Sequence, residues 1–328
     1  MATTDTAAGS ADRPANAAVP ADRTVRRTAV AGESPVKSRG TGRTPARRGI
    51  FSGSREGRAA GSRIAVNIVL LVISVLYVVP LLWMLLASVN SHASFKLSVG
   101  TPTFDNFDRV LNWDTTYLPM INGLLLSGGG TLICVVCSIL AAYPLSRYRS
   151  RLRRPFLYTI LFSTGLPITA VMIPVYSMFV QVNLIDSMLG TTLFLAASAL
   201  PFGIWLMKNF MDGVPIVLEE AARIDGAGTM TVLWRVILPL MGPGVTVVTI
   251  FTFIGMWGNF FVPFILLLDP AKLPASVSVF NFLSAHDQTQ YGQLSAFSII
   301  YSIPVVMLYL LLARRLGGGF ALGGAVKG

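Results

Sequence analysis

The side chains that could do chemistry are few. His92 and His286 are the only histidines, far apart in the sequence, so a histidine-based metal site or nucleophile has little material. Cys134 and Cys137 form a C-x-x-C inside an apolar run without a nearby histidine or charge. Redox and metal motifs need accessible thiolates, so these two read as small packing residues and no metal site is expected. No Lys follows a Gly, which removes the phosphate loop G-x-x-x-x-G-K-[ST] and with it ATP hydrolysis by this chain. One polar stretch remains between two long apolar runs, Glu219-Glu220-Ala221-Ala222-Arg223-Ile224-Asp225-Gly226-Ala227-Gly228.

The elements that must hold this stretch are dictated by composition. The chain is 53% hydrophobic and 12% charged, against roughly 25% charged in ordinary soluble domains. Beyond Arg63 there are six long charge-free windows, 64–95, 115–146, 155–185, 187–207, 236–268 and 288–313. Each is as long as the ~20 residues a helix needs to cross a bilayer. The expected fold is all-α, a polytopic membrane protein with six transmembrane helices. Alternating strands of about 10 residues, which a barrel would need, are missing from the sequence.

Basic residues set the orientation, because Lys and Arg are retained on the cytoplasmic side. All of the 26 except Lys96, Arg109 and Lys272 lie in 1–63, 146–154, 208–235 and 314–328. Both termini are therefore expected in the cytoplasm. The net charge of +11 is read as this topology signal, not as a nucleic-acid surface. Residues 1–63 hold almost no bulky hydrophobes and are expected to be a disordered basic tail, 64–316 the membrane domain, and 317–328 a short cytoplasmic tail.

The windows contain no carboxylate or basic group of the kind that ion-coupled carriers place in their pathway. A path lined by Asn, Ser, Thr, aromatic rings and backbone would suit a neutral, hydroxyl-rich solute. Gly128-Gly129-Gly130 predicts close helix packing, and Pro80, Pro167, Pro174, Pro201, Pro263 and Pro304 predict kinks.

The polar stretch itself predicts a helix-turn-helix over 212–239. Asp212 is a candidate cap and Pro215 suits a first turn. Glu219 and Arg223 form an i,i+4 pair, Gly226 stops the helix, and Thr229 is a candidate cap for a second short one. Ala221, Ala222, Gly226 and Ala227 would give a small-residue side on which a partner's groove can close, with Glu220 and Asp225 as polar contacts.

In these residues the chain resembles the inner-membrane permease subunits of binding-protein-dependent ABC importers. Their motif E-A-A-x3-G-x9-I-x-L-P aligns with Glu220-Ala221-Ala222, Gly226, Val236 in place of Ile, and Leu238-Pro239, and Asp225-Gly226-Ala227 extends the match. "TFDNFDRVL" (103–111), Asn122, "AAYPLSRYR" (141–149) and "IGMWGNFFVPFILL" (254–267) are similar to the sugar-transporting branch, of the maltose-permease second-component type. The resemblance covers about 64–316 and implies a MetI-like permease fold. It implies a non-enzymatic subunit paired with a second permease subunit, a cytoplasmic ATPase dimer that binds ATP and Mg, and an extracytoplasmic solute-binding protein. Glu220, Ala221, Ala222, Asp225, Gly226, Ala227, Leu238 and Pro239 would then couple to the ATPase. Asn122, Trp257 and Asn259 would line the solute path. A polyol or glycerol phosphate importer of the same build, a passive channel and a membrane scaffold remain alternatives.

Overall fold

The computed structural model describes the backbone of residues 53–94, 100–284 and 290–324, and side chains within 66–94, 100–283 and 290–312. Residues 1–52 of the expected tail, His286, Lys96 and the last four residues lie outside that set. Ile64–Gly328 packs as one unit and holds every site described below.

Inside a bilayer every backbone N–H and C=O must find a partner within the chain, which favours helices wherever charge is absent. The described residues form helices and no strand, with an isolated bridge between Asn90 and Pro102. In order they are α1 (Gly53–Ser88), α2 (Asp105–Val110), α3 (Leu118–Arg147), α4 (Arg153–Ser163), α5 (Ile168–Gln181), α6 (Met188–Asp212) and α7 (Ile216–Ile224). Then come α8 (Thr229–Val232), α9 (Leu238–Leu240), α10 (Gly242–Trp257), α11 (Phe261–Leu266), α12 (Ala275–Ser278), α13 (Asn281–Ser284) and α14 (Tyr291–Gly324). α1 begins at Gly53, ahead of the boundary expected at 63, and α14 runs past 316 to Gly324.

Among the described residues, four segments are long and apolar enough to cross a membrane as single helices: Val66–Ser88, Trp113–Arg147, Met188–Asp212 and Tyr291–Leu312. The other two expected spans are broken. α4 and α5 meet at 96°, and Thr229–Leu240 meets Gly242–Trp257 at 81°, so the number of spans is six only if each bent pair counts as one. Window 155–185 breaks at Thr164–Pro167, where Gly165 and Pro167 interrupt the ladder. Window 236–268 is not one helix either. It contains the end of the bend, then α10, then a gap at Gly258–Phe260 before α11.

Two π turns, Trp113–Tyr117 and Leu233–Ile237, each stop two residues before a proline, Pro119 and Pro239. A proline lacks the N–H for an i→i−4 bond and its ring crowds that carbonyl, so a wider turn is the relaxed way to continue.

α3 lies most extensively against α6, and α10 packs on both. Small residues permit this. A Cβ at Gly130 would stand 2.6 Å from the Met256 sulfur, and one at Gly129 would meet Thr192 at 3.3 Å. Gly128 faces open space, so the triplet is used on one side only. Cys134 is fully buried near Ser138 and Gly203, in a packing position.

The loops join in two groups. Asp186, in the left-handed region at φ 59°, accepts from the backbone N–H groups of Leu268 and Asp269 at 3.0 Å each, and Lys272 pairs with its carboxylate. The Lys272 ammonium, then the Asp269 amide, hold the Asp186 carboxyl down at about 2. Asp186, after α5, is thus tied to the turn that follows α11. At the other group, Ser146 and Lys208 donate to Asp212, and Arg153 approaches it at 3.9 Å.

Candidate functional site: the loop between α6 and α10

α7 forms as the sequence predicts, but its caps differ. Asp212 is the last residue of α6 and is occupied by Lys208 and Ser146, so it does not cap α7, whose N-cap is Pro215. Thr229 is the first residue of α8, not its cap, which is Gly228. Gly226 adopts φ +86°, a conformation that costs L residues with a Cβ about 1–2 kcal/mol, and so it ends the helix as expected.

One face of α7 is fastened inward through Glu219, which is 4% exposed. The Tyr143 hydroxyl donates to Glu219 Oε1 at 2.5 Å, and Arg223 donates to the same oxygen at 2.8 Å. Arg147 Nε lies 2.9 Å from Oε2, close enough for charge attraction but not aligned as a hydrogen bond. Arg147 also donates to the Val214 carbonyl at 3.1 Å, at the junction of α6 and α7. Hydrogen bonds first to Tyr143 and then to Tyr148 raise the Arg223 pKa above its ordinary value, so this guanidinium stays charged. A buried carboxylate persists only when paired in this way. The end of α3 and the middle of α7 therefore form one connected polar cluster.

Apolar contacts fix the same orientation. Ala222 and Ala227 pack inward against the core around Ala142, Tyr143, Met207, Met211, Val232, Leu233 and Ile237, as do Val236 and Leu238. The small-residue side expected from sequence is therefore divided. Ala222 and Ala227 serve the chain's own core, while Ala221 and Gly226 remain outside with Glu220 and Asp225. Pro239 is exposed where α9 begins.

The outward face is mixed in character. Val217 is 70% and Ile224 86% exposed, at positions about two helical turns apart, with Glu220 and Ala221 between them and Asp225 just beyond. Met230 and Trp234 extend the exposed apolar surface. Between α7 and the end of α3 lies a cavity of about 160 Å³, lined by Arg147, Tyr148, Ile216, Glu219, Glu220 and Arg223. Sequence reasoning missed Glu219 as more than an i,i+4 partner. The signal was its place beside Glu220 together with Tyr143 and Arg147 in "AAYPLSRYR", but neither stretch says which of two adjacent carboxylates faces in.

The three residues expected along the solute path lie near one another but make internal contacts. Asn122 donates to the carbonyls of Ala271 at 2.8 Å and Leu273 at 3.3 Å, holding the loop after α11. Trp257 is stacked between Phe253 and Tyr301, at ring distances of 5.8 and 5.2 Å, and exchanges hydrogen bonds with the Tyr301 backbone and hydroxyl. Gly123 brings α3 against it, since a Cβ there would stand 3.1 Å from the indole. Asn259 accepts from Val262 N–H at 3.0 Å, closing the gap before α11. A second concavity, of about 420 Å³, lies between α5 and α11 and is lined by Thr169, Met172, Ile173, Tyr176, Ser177, Phe261 and Ile265.

Among the described residues no cluster of His, Cys, Asp and Glu is arranged to hold a metal. The arrangement offers a helix fastened on one face and exposed on the other, in a bundle of apolar helices. That is the architecture of a transport subunit, and comparison with known proteins identifies the class. Residues 134–318, more than half of the chain, match the family described as binding-protein-dependent transport system inner membrane component, and the chain belongs to that family. It is 28% identical over 267 residues to the maltodextrin transport system permease protein MdxG of Bacillus subtilis, covering 80% of this chain and 96% of that one. With the trehalose transport system permease protein SugB of Mycobacterium tuberculosis it shares 30% over 253 residues, 76% of this chain and 92% of the relative. Among solved structures, a chain of a bacterial ABC transporter that imports the acidic polysaccharide alginate superposes with a TM-score of 0.67 at 25% identity, over 80% of this chain and 98% of that chain. The expected MetI-like permease fold is thus the fold observed.

Proposed function

We propose that this chain is one permease subunit of an ATP-driven importer of sugars or short oligosaccharides in a bacterial cytoplasmic membrane, with both termini cytoplasmic. The solute class is supported by its relatives, named for maltodextrin and trehalose transport. α7 is the coupling helix. Its face of Val217, Glu220, Ala221, Ile224 and Asp225 seats in a cleft of a cytoplasmic ATPase subunit, and the ATPase dimer, not this chain, binds ATP and Mg. A second permease subunit completes the pathway and an extracytoplasmic binding protein delivers the solute.

The single observation that carries this reading is the two-sided character of α7, clasped inward by Glu219 and presenting Ile224 almost fully outward. When the ATPase dimer closes on ATP, the seat of α7 moves. The clasp passes that displacement to α3, and the helices exchange an inward-facing for an outward-facing arrangement. The free energy comes from the different contacts of the two states.

The test is uptake of radiolabelled sugars by cells expressing the chain with its candidate partners, with Ala221→Cys crosslinked to the ATPase in parallel. ATPase-dependent uptake and a specific crosslink are expected. Uptake that persists without any ATPase would establish a passive channel instead. A crosslink without uptake of any solute would leave a scaffold.

A second solute reading is kept by one observation, the likeness to a transporter of an acidic polysaccharide. Uncharged helices do not by themselves exclude an anionic solute, so glycerol phosphate and polyols belong in the same uptake panel.

A further inference from the structure

The basic segment from the end of α3 to the start of α4 divides in two. Of its five arginines, Arg147 is spent on Glu219 and Arg153 leans toward Asp212. Arg149, Arg151 and Arg154 are exposed and pair with no carboxylate among the described residues. A topology signal needs only the number of charges on one side of the membrane. It does not require three of them to stand exposed and without a carboxylate at the start of the next helix.

That helix, α4, contains no acidic residue. Arg154, Tyr158, Leu161 and Phe162 stand at i, i+4, i+7 and i+8, one stripe of the helix. Tyr158 is 68% and Phe162 76% exposed, and Leu152 projects beside the arginines. The stripe ends at the 96° bend, in a concavity of about 500 Å³ lined by Tyr158, Leu161, Phe162, Thr164, Gly165 and Leu166. The serine and threonine hydroxyls of this stretch are used within the helix. Thr159, Ser163 and Thr164 each donate to a carbonyl of their own helix at 2.7 to 3.0 Å. The surface therefore changes along its length from cationic to aromatic to hydrocarbon-like, which is the order of groups in a phospholipid.

We propose that Arg149, Arg151 and Arg154, together with the Tyr158–Leu161–Phe162 face of α4 and the concavity at its end, form a binding site for an anionic phospholipid of the surrounding bilayer. The guanidinium groups hold the phosphate and any further negative charge of the headgroup. An acyl chain lies along the stripe into the concavity. A zwitterionic lipid offers the same chain without the net charge, so the arginines set the preference. The inference does not depend on the identity of the transported solute.

The experiment is native mass spectrometry of the full-length chain, purified with its co-expressed partners in mild detergent and titrated with phosphatidylglycerol or phosphatidylcholine. Wild-type protein is expected to retain phosphatidylglycerol preferentially. Arg151→Gln/Arg154→Gln is expected to weaken retention on the order of tenfold or more, from roughly 1 kcal/mol per basic residue at an anionic surface. Arg235→Gln, an exposed charge elsewhere, should leave it unchanged. Equal retention of the two lipids by the wild type, or equal retention of phosphatidylglycerol by the double variant, would overturn the proposal. So would displacement of the lipid by millimolar inorganic phosphate, which would mark a free-anion site. Should the double variant fail to insert, a photoactivatable phosphatidylglycerol applied to the wild type decides the matter. Label on the peptide containing Tyr158 and Phe162 supports the site, and label confined to other helices refutes it.

Discussion

Tyr143 and Glu219 are 76 residues apart in sequence and joined by a 2.5 Å hydrogen bond between the end of α3 and the middle of α7. The most extensive helix pairing among the described residues, α3 on α6, is thereby tied to the loop between α6 and α10. Removing either side of this bond tests the mechanism directly.

Glu219→Ala leaves Arg147 without its charge partner and the Tyr143 hydroxyl without its acceptor in a buried place. Breaking a buried pair from one side costs about 3–5 kcal/mol. The expected result is a lower unfolding temperature in detergent, faster proteolysis within 213–228, and loss of uptake. Tyr143→Phe keeps the packing and loses two hydrogen bonds, the one donated to Glu219 and the one accepted from Arg223, while Arg147 and Arg223 still pair with the carboxylate, so its effect should be smaller on both readouts.

Exposed and inward alanines should respond differently to bulk. Ala222 is packed against the core, so Ala222→Trp is expected to disturb folding, and failure of transport there would not isolate docking. Ala221→Trp projects outward and should leave membrane insertion and unfolding temperature unchanged while uptake falls by about tenfold or more. A normal uptake rate from a well-expressed Ala221→Trp protein would exclude α7 as the docking helix.

The Gly226 turn has its own signature. No atom lies within 4 Å of a Cβ there, so Gly226→Ala meets only the backbone penalty of φ +86°, about 1–2 kcal/mol. Gly226→Pro cannot adopt a positive φ at all. Insertion should survive in both variants, with uptake reduced in the first and abolished in the second.

The Asp186 clamp carries a pH dependence whose sign is set by its depressed pKa. The ordinary value is 3.8 and the folded value about 2, so the stabilisation is complete above about 4 and is lost as pH falls through about 2. Asn tolerates the left-handed backbone at this position. The difference in unfolding temperature between wild type and Asp186→Asn should therefore be constant from pH 8 to 5 and shrink only below about pH 4. A difference that vanished between pH 7 and 5 would show that another group controls these loops.

Asn122 offers a way to separate support from solute contact. Its two hydrogen bonds to the Ala271 and Leu273 carbonyls predict that Asn122→Ala loosens that loop by about 1–3 kcal/mol. Cysteine accessibility at 271 should rise at once. A change in the uptake KM with accessibility unaltered would instead place Asn122 in contact with solute.

The parts of this architecture that could be read from sequence were those governed by composition and short-range geometry. Missing charge marked the apolar segments, Gly226 marked the helix end, and Glu219 with Arg223 marked one face of α7. Which loops touch was not legible, because the contact of Asp186 with Leu268, Asp269 and Lys272, and that of Asp212 with Ser146, joins residues far apart in sequence. Bends were not legible, because an uncharged window gives no information about direction and Pro167 breaks its segment while Pro80, Pro201 and Pro304 remain within helices. The division of labour between Glu219 and Glu220 was hidden for a related reason. It depends on the rotation of α7 against α3, which is set by Tyr143, Arg147 and Ala222 acting together across long sequence separations.

Glu219 and Glu220 differ by one position and about 100° of helical rotation, and that rotation separates two properties usually entangled in a docking segment. The side chains that hold α7 in place are not those exposed on its outer face, where the proposed partner would sit. Val217, Glu220, Ala221 and Ile224 can accordingly be exchanged as a block for those of another permease without touching the clasp. Such a chimera should retain its own solute and accept power from a foreign motor, which makes this helix of 9 residues a socket whose fitting can be changed independently of the machine behind it.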